Sequence, residues 1–256
     1  MVKVITVFNQ KGGVGKTTTN INLCSYLAME GYRVLSMDID PQGNTTSGLG
    51  FDKRKIKTSI YDVITDDTSI EEAMIKCEFV DNFYIVPSTM SLAGAEVEII
   101  DKVNREKILR EKIKSVEGKF DFIFIDCPPS LGFLTINALT ASNSVLIPIQ
   151  CEFYALEGVG QLVNTIQLVK KSLNPNIDIE GVVLSMFDSR TNLSNEVVSE
   201  VKKYFKNKVY DTTIPRNIRL AESPSFGLPI MLYDNKCKGA EAYEKLAKEF
   251  LERQEN

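Results

Sequence analysis

The chain has 256 residues, 43% of them hydrophobic, and this length favours one large domain over residues 1–256 rather than two small ones. Thirty basic and 34 acidic side chains give a net charge of −4, so any attraction to nucleic acid or anionic lipid must come from a local patch. The absence of histidine excludes histidine-based acid–base catalysis and the commonest zinc ligand.

The cysteine and hydropathy patterns indicate the cellular compartment. The chain contains no C-x-x-C pair, so we expect reduced and mostly buried thiols at Cys24, Cys77, Cys127, Cys151 and Cys237. No apolar run approaches the roughly 20 residues that a membrane span needs. The N-terminus enters a predicted strand almost at once, which leaves no room for a signal peptide. These features predict a cytoplasmic protein.

Short apolar segments alternate with helical patterns along the whole chain. Buried strands are predicted over 2–8, 34–39, 83–86, 120–125, 144–149 and 179–187. Helices are predicted over 17–29, 104–116, 133–141, 156–172 and 195–205. This alternation predicts an α/β fold of the P-loop type, in which a mostly parallel, twisted sheet carries helices on both faces and binds ligands at the carboxyl ends of its strands.

The segment 10–18, QKGGVGKTT, follows the first predicted strand and opens a helix. Its glycines let backbone amides approach phosphate oxygens, Lys16 stands where a Walker A lysine reaches the β- and γ-phosphates, and Thr17 offers a hydroxyl to Mg²⁺. The usual pattern has a glycine five residues before Gly15, where this chain has Gln10, so only a deviant form fits. A Gly-Lys-Thr triplet, here Gly15 to Thr17, can also be an ordinary surface turn. The flanking strand and helix disfavour that alternative.

A second lysine in this loop, Lys11, has no obvious role within one subunit. Lys16 already supplies an ammonium to the same phosphates. The Lys11 ammonium must therefore be solvated or find anionic oxygens elsewhere.

Three aspartates stand at the ends of predicted strands that should meet in one crevice. Asp126 fits a Walker B carboxylate that holds Mg²⁺, although an aspartate at a strand end also caps the following loop. Asp38 and Asp40 face the same side of an extended strand end, and a Mg-nucleotide would compensate their mutual repulsion. Asp40 leads into the turn-forming segment 41–44, which is either a nucleotide-dependent switch or a simple capped turn.

The segments 11–18, 38–43 and 126–129 resemble the deviant Walker ATPases of the ParA/MinD group. Three later segments narrow the resemblance to the chromosomal ParA proteins, also called Soj: VLIPIQCE at 145–152, RTN at 190–192 and IPRNIRLAE at 214–222. The resemblance covers nearly the whole chain, and the order and spacing of the motifs make it specific.

The resemblance implies an ATPase that uses ATP and Mg²⁺ and forms a homodimer with two ATP molecules sandwiched between its subunits. Lys11 would reach the partner's nucleotide, Lys16 would bind phosphates, and Asp40 would orient the attacking water, with hydrolysis at roughly 10⁻⁴ to 10⁻² per second without an activator. Thr17 and Asp126 are the implied metal ligands. The implied nucleotide contacts are Lys11, Gly12, Gly13, Val14, Gly15, Lys16, Thr17, Thr18, Pro215 and Asn217. For Pro215, the alternative or additional interpretation is the first turn of a short helix.

The same resemblance implies non-specific binding of double-stranded DNA by the ATP form, through Arg190 and Arg219. Taken singly, each is a solvated surface arginine, but further basic residues lie nearby in sequence: Lys202, Lys203, Lys206, Lys208 and Arg216. A ParB-type centromere-binding partner would stimulate hydrolysis. The protein would then be nucleoid-associated and drive chromosome or plasmid partition.

Two related classes of ATPase are alternatives. A MinD-like membrane-associated positioning ATPase needs a basic amphipathic helix at its C-terminus, whereas residues 239–256 carry five acidic and three basic side chains. The apolar stripe in that segment predicts a helix packed on the core; its members are Tyr243, Leu246, Ala247, Phe250 and Leu251. An iron–sulfur scaffold ATPase needs a close cysteine pair near the C-terminus, and Cys237 stands alone there.

Overall fold

The computed structural model describes residues 2–152 and 155–255, and the side chains of residues 155–157 lie outside that description. The strands are β1 Lys3–Val7, β2 Val34–Asp38, β3 Ile75–Lys76, β4 Phe83–Val86, β5 Phe122–Asp126, β6 Ser144–Gln150, β7 Asp178–Phe187 and β8 Val209–Pro215. The helices are α1 Lys16–Met29, α2 Asn44–Gly48, α3 Ile60–Thr65, α4 Ile70–Ala73, α5 Ala95–Glu98, α6 Ile108–Ile113, α7 Phe133–Ala141, α8 Ala155–Ser172, α9 Asn192–Phe205, α10 Ile218–Glu222, α11 Ile230–Tyr233 and α12 Lys238–Glu255. Single 3₁₀ turns join several of them.

The strands form one sheet in the order β3-β4-β2-β5-β1-β6-β7-β8. Among the described residues every pairing is parallel except that of β3 with β4. Strand β1 lies between β5 and β6, so the loop that leaves it opens at the middle of the sheet. The predicted α/β fold with a mostly parallel sheet is confirmed.

The sequence missed two strands, both at the edges of the sheet. β3 is only two residues long, too short to produce a periodic pattern. β8 ends in Pro215, a residue that lacks the N–H needed in a central strand but is tolerated at an edge. Pro215 therefore ends a strand, and the suggestion that it opens a short helix was wrong.

Helices cover both faces of the sheet, as predicted. One buried cluster joins one face of the sheet to the helices α3–α9, and a second joins the other face to α1, α10, α11 and α12. The predicted packing of the C-terminal helix is confirmed, because Tyr243, Leu246, Ala247 and Phe250 are at most 1% exposed. Leu251 packs at the edge of this cluster.

A buried carboxylate fixes the end of α12 to the sheet. Glu180 on β7 has a side chain that is 6% exposed. It accepts hydrogen bonds from Lys3 Nζ on β1 at 2.9 Å and from Gln254 Nε2 on α12 at 2.8 Å. The pKa of Glu180 is lowered from its usual value: burial raises it, but the hydrogen bonds from Lys3, Ser144 and Gln254 outweigh burial.

The cysteines and the hydropathy of the helices agree with the sequence predictions. All five thiols are free, and four of them are buried, with Cys237 half-buried. Over the described residues, no helix combines the length and apolarity that crossing a bilayer would require.

Candidate active site

The loop between β1 and α1 is held in an open, phosphate-binding shape by its own glycines and by neighbouring side chains. Gly13 and Gly15 have φ angles of +74° and +91°, which favour glycine because it has no Cβ. Ser185 on β7 donates its hydroxyl to the Val14 carbonyl at 2.7 Å, and the Lys11 amide donates to Asn9 Oδ1 at 3.0 Å. The loop shape is thus formed by the protein alone.

Lys16 begins α1 and carries a nearly buried ammonium. Its side chain reaches back along the loop, where Nζ donates to the Lys11 carbonyl at 3.2 Å. Burial lowers the pKa of Lys16, against the opposing effects of Asp126 and Asp40. Because no described carboxylate forms an ion pair with it, this ammonium is suited to an anionic ligand.

Asp126 ends β5 beside Lys16 and is fully buried. Its Oδ2 accepts hydrogen bonds from Thr17 Oγ1 and Thr45 Oγ1, each at 2.8 Å. Its Oδ1 has no hydrogen-bond partner among the described residues. Burial raises the pKa of Asp126 to about 6. A Mg²⁺ ion fits this arrangement, because it prefers carboxylate and hydroxyl oxygens and would satisfy the unpaired atom.

The two aspartates of the D-x-D segment have different surroundings. Asp38 is fully buried, and its Oδ2 accepts hydrogen bonds from Thr46 N at 2.8 Å and Thr46 Oγ1 at 2.7 Å. Burial, reinforced by Asp126, raises the pKa of Asp38 to about 7. Asp40 lines the open cavity and accepts from Gln42 N at 2.9 Å. Donors within the protein therefore compensate part of the Asp38 charge, and compensation by a Mg-nucleotide stays a prediction.

Two adjoining cavities lie on the phosphate loop. The first, of about 530 Å³, is lined by Gly12, Gly13, Gly15, Lys16, Thr17, Thr18, Asp40, Gln42, Asn44, Ser47, Pro129, Met186 and Pro224. The second, of about 330 Å³, shares Gly15, Thr18 and Met186 with the first and is bounded by Ile214, Tyr243 and the two residues predicted to contact adenine, Pro215 and Asn217. Asn217 also caps α10 by accepting from Arg219 N at 2.8 Å.

Lys11 differs from the other residues of the loop. It is partly exposed, and it does not line the phosphate cavity of its own subunit. Among the described residues, none forms an ion pair with its ammonium. The two lysines therefore differ in their surroundings: Lys16 lines the phosphate cavity and Lys11 does not, although the Lys11 carbonyl accepts a hydrogen bond from Lys16 Nζ.

The predicted DNA-binding arginines are exposed and paired with carboxylates. Arg190 is 86% exposed and contacts Asp188 Oδ2 at 2.7 Å. Arg219 contacts Glu222 Oε2 at 3.0 Å and Asp234 Oδ2 at 3.4 Å. Similar pairs involve Lys202, Lys203, Lys208 and Arg216. The local positive charge is smaller than the sequence suggested, but exposed pairs are weak and can exchange partners.

The sequence reasoning missed several residues of the site, among them Thr45, Thr46, Ser88 and Met186. Thr45 and Thr46 stand five and six positions after Asp40, so their proximity to the D-x-D segment was a usable signal. Ser88 lies in the loop after β4 and reaches the site only because β4 pairs with β2. Met186 has a φ angle of +51°, an uncommon conformation for a residue with a side chain, and no sequence pattern marks it.

Comparison with known proteins places this architecture in a family. The AAA domain family matches residues 2–179. The sporulation initiation inhibitor protein Soj of Bacillus subtilis is 56% identical over 249 residues, which cover 97% of this chain and 98% of that protein. The chromosome partitioning protein ParA of Myxococcus xanthus is 51% identical over 98% of this chain and 88% of its own length. This chain belongs to the Soj/ParA family.

A solved structure agrees with this Soj/ParA membership at the level of the fold. Cobyrinic acid a,c-diamide synthase from Mycobacterium smegmatis, crystallised with bound ADP and magnesium, has a TM-score of 0.87 and 36% sequence identity. The similarity covers all of this chain and 96% of that one. The resemblance drawn from the phosphate loop, the D-x-D segment and the Asp126 segment is confirmed by the Soj and ParA relatives.

Proposed function

We propose that this protein is an ATP-dependent dimerisation switch that hydrolyses ATP to ADP and phosphate and serves chromosome or plasmid partition. The observation that carries the proposal is the buried Lys16 ammonium at the phosphate-loop cavity, together with the unpaired Oδ1 of Asp126, whose carboxylate accepts a hydrogen bond from the cavity residue Thr17. A cation and an unsatisfied carboxylate oxygen at such a loop are the groups that a metal–triphosphate complex pairs with.

Each residue of the cavity has a separate role in this proposal. Lys16 and the amides of the phosphate loop bind the phosphates. Thr17 and Asp126 hold Mg²⁺, which when bound neutralises charge on the phosphate oxygens. Asp40, whose carboxylate lines the cavity, orients the attacking water. Pro215 and Asn217 contact adenine in the adjoining cavity.

The homodimer in this proposal supplies the missing partner of Lys11. Each subunit donates its Lys11 ammonium to the phosphates of the other, with two ATP molecules sandwiched between them. The exclusion of Lys11 from its own phosphate cavity supports this role. A cation supplied in trans stabilises the charge that develops during phosphoryl transfer, so hydrolysis depends on dimerisation.

The ATP dimer would bind double-stranded DNA without sequence specificity through Arg190 and Arg219, and a ParB-type partner would stimulate hydrolysis and release it. Membership of the Soj/ParA family supports this part of the proposal. The protein would then be cytoplasmic and nucleoid-associated. The burial of the apolar stripe of α12 against the core disfavours the MinD-like alternative, since that stripe is not free to enter a membrane.

Size-exclusion chromatography of the Asp40→Ala variant tests the proposal. Because the variant retains Lys16, Thr17 and Asp126 but lacks the carboxylate that orients water, it should bind ATP and accumulate as a dimer with ATP but not with ADP. Only the ATP dimer should co-elute with a DNA fragment. A monomer under all conditions would contradict the switch, and hydrolysis at the parental rate would contradict the role of Asp40.

A further inference from the structure

A closed ring of hydrogen bonds surrounds the base of the D-x-D segment. The Asp40 amide donates to Asp38 Oδ1 at 3.2 Å, and the Asp40 carbonyl accepts from Ser88 Oγ at 2.7 Å. The Ser88 amide donates to Thr46 Oγ1 at 2.9 Å, and Thr46 Oγ1 donates to Asp38 Oδ2 at 2.7 Å. The ring thus holds the backbone of Asp40 on both of its peptide groups.

The ring lies in a dry environment. Asp38, Thr46 and Ser88 are fully buried, and Asp40 is 9% exposed. Water cannot replace a lost partner at such depth, so removal of one hydroxyl leaves another polar group unsatisfied. Neither Thr46 nor Ser88 lines the phosphate cavity. Their contacts reach the cavity only through Asp40 and its neighbours.

The ring is joined to the metal carboxylate through one peptide bond. Thr45 precedes Thr46 in the first turn of α2, and its hydroxyl donates to Asp126 Oδ2 at 2.8 Å. Asn20 Nδ2 supports this hydroxyl from α1 at 3.3 Å. Thr45 and its neighbour Thr46 therefore link the Asp126 carboxylate to the ring.

We propose that Thr46 and Ser88 are positioning residues that fix Asp40 for water activation. This positioning role rests on the proposed ATPase function. The backbone of Asp40 sets the direction of its carboxylate. Side chains from β2, α2 and the loop after β4 hold that backbone in place.

Thr46→Val tests the ring because valine keeps the shape of threonine and removes the hydroxyl. The kcat of basal Mg-ATP hydrolysis should fall by about tenfold, since a small misplacement of a catalytic group is enough for such a loss. The KM for ATP should change by less than about threefold, because Thr46 does not touch the cavity. Thr46→Ser keeps the hydroxyl and should retain most of the wild-type kcat. Ser88→Ala, which keeps the backbone donor, should show a smaller loss of the same kind.

Thr140→Val is the matched control. Thr140 is 1% exposed, and its hydroxyl has no partner among the described residues, so the same exchange there should leave kcat unchanged. The proposal is overturned if Thr46→Val keeps the wild-type kcat, or if Thr46→Ser or Thr140→Val loses as much as Thr46→Val. If Thr46→Val does not fold, an unchanged kcat of Ser88→Ala overturns it equally.

Asp40→Ala, assayed in parallel, distinguishes a failure of the ring proposal from a failure of the proposed role of Asp40. An inactive Asp40→Ala beside a fully active Thr46→Val overturns the ring alone. An Asp40→Ala protein that hydrolyses at the parental rate overturns the role of Asp40 and the ring together.

Discussion

At the scale of single residues, the site depends on charges that the fold has removed from water. Lys16 is 7% exposed and Asp126 is 1% exposed, and both are held beside the phosphate cavity. Burial disfavours the charged form of each, which lowers the pKa of Lys16 and raises that of Asp126 to about 6. For each group, pairing with a ligand of opposite charge would therefore offset the free-energy cost of burying the charge.

Lys16→Ala should abolish productive Mg-ATP binding. Loss of a charge-assisted contact in a buried site removes about 3 kcal/mol, which weakens binding more than about a hundredfold. Isothermal titration with ATP and Mg²⁺ measures this directly. Lys245→Ala, on the exposed side of α12, removes the same charge away from the site and should bind as the wild type does. Equal affinities for the two variants would contradict the role of Lys16.

At the scale of elements, the last helix is fixed at its end by the buried Glu180. Glu180→Gln should lower the free energy of unfolding at pH 7 by about 2 kcal/mol, because an amide cannot replace the charged acceptor for Lys3. Since folding lowers the pKa of Glu180, its contribution is present above the unfolded-state value near 4.5 and is lost as the pH falls through the folded-state value.

Urea unfolding of wild type and Glu180→Gln between pH 7 and pH 3 measures this difference. The two curves should converge at acid pH. Glu244→Gln, which breaks the exposed pair with Lys248 on the same helix, should leave the midpoint unchanged. A difference that persists at low pH would show that Glu180 acts by shape and not by charge.

Among the elements, buried strands were predicted well, whereas the bounds of two helices differ from the prediction. Strands with continuous apolar runs, such as β5, were found because they are buried on both faces. The helix predicted over 195–205 begins earlier, at Asn192, because the side chain of Thr191 caps it by accepting from Ser194 N. Residues 105–107 and 114–116 form 3₁₀ turns around α6, so the helix predicted over 104–116 is shorter than its periodicity suggested.

At the scale of the whole molecule, the net charge is −4 and the surface arginines are paired with carboxylates, so we expect the proposed DNA binding to require two subunits. If Arg190 and Arg219 each neutralise one phosphate, a dimer makes about four contacts and the log–log salt slope is about −3.6, against about −1.8 for a monomer. Between 50 and 200 mM salt, affinity would fall roughly 150-fold for the dimer and roughly 12-fold for the monomer.

Fluorescence anisotropy of a labelled duplex, titrated at several salt concentrations with ATP or ADP, measures the slope. The Asp40→Ala variant should keep the ATP state long enough for the measurement, because it lacks the carboxylate proposed to orient water. Arg190→Ala should reduce the dimer slope by about 1.8, because two contacts are lost. A slope that is the same with ATP and ADP would contradict dimer-linked binding.

The sequence by itself determined the fold class, the position of the phosphate loop, the positions of Asp40 and Asp126 at strand ends, and the packed C-terminal helix. It did so because these features depend on local order: a strand, a glycine-rich turn, a carboxylate at a strand end or a helical stripe. The tertiary structure decided the donors around Asp38, the pairing of the surface arginines and the ring through Ser88. The ring joins Asp40 to Ser88, 48 positions apart, and only the pairing of β4 with β2 brings these residues together. The donors to Asp38 and the carboxylate paired with Arg190 lie within eight residues of their partners, and there the side-chain conformations, which no sequence pattern specifies, decide the contacts.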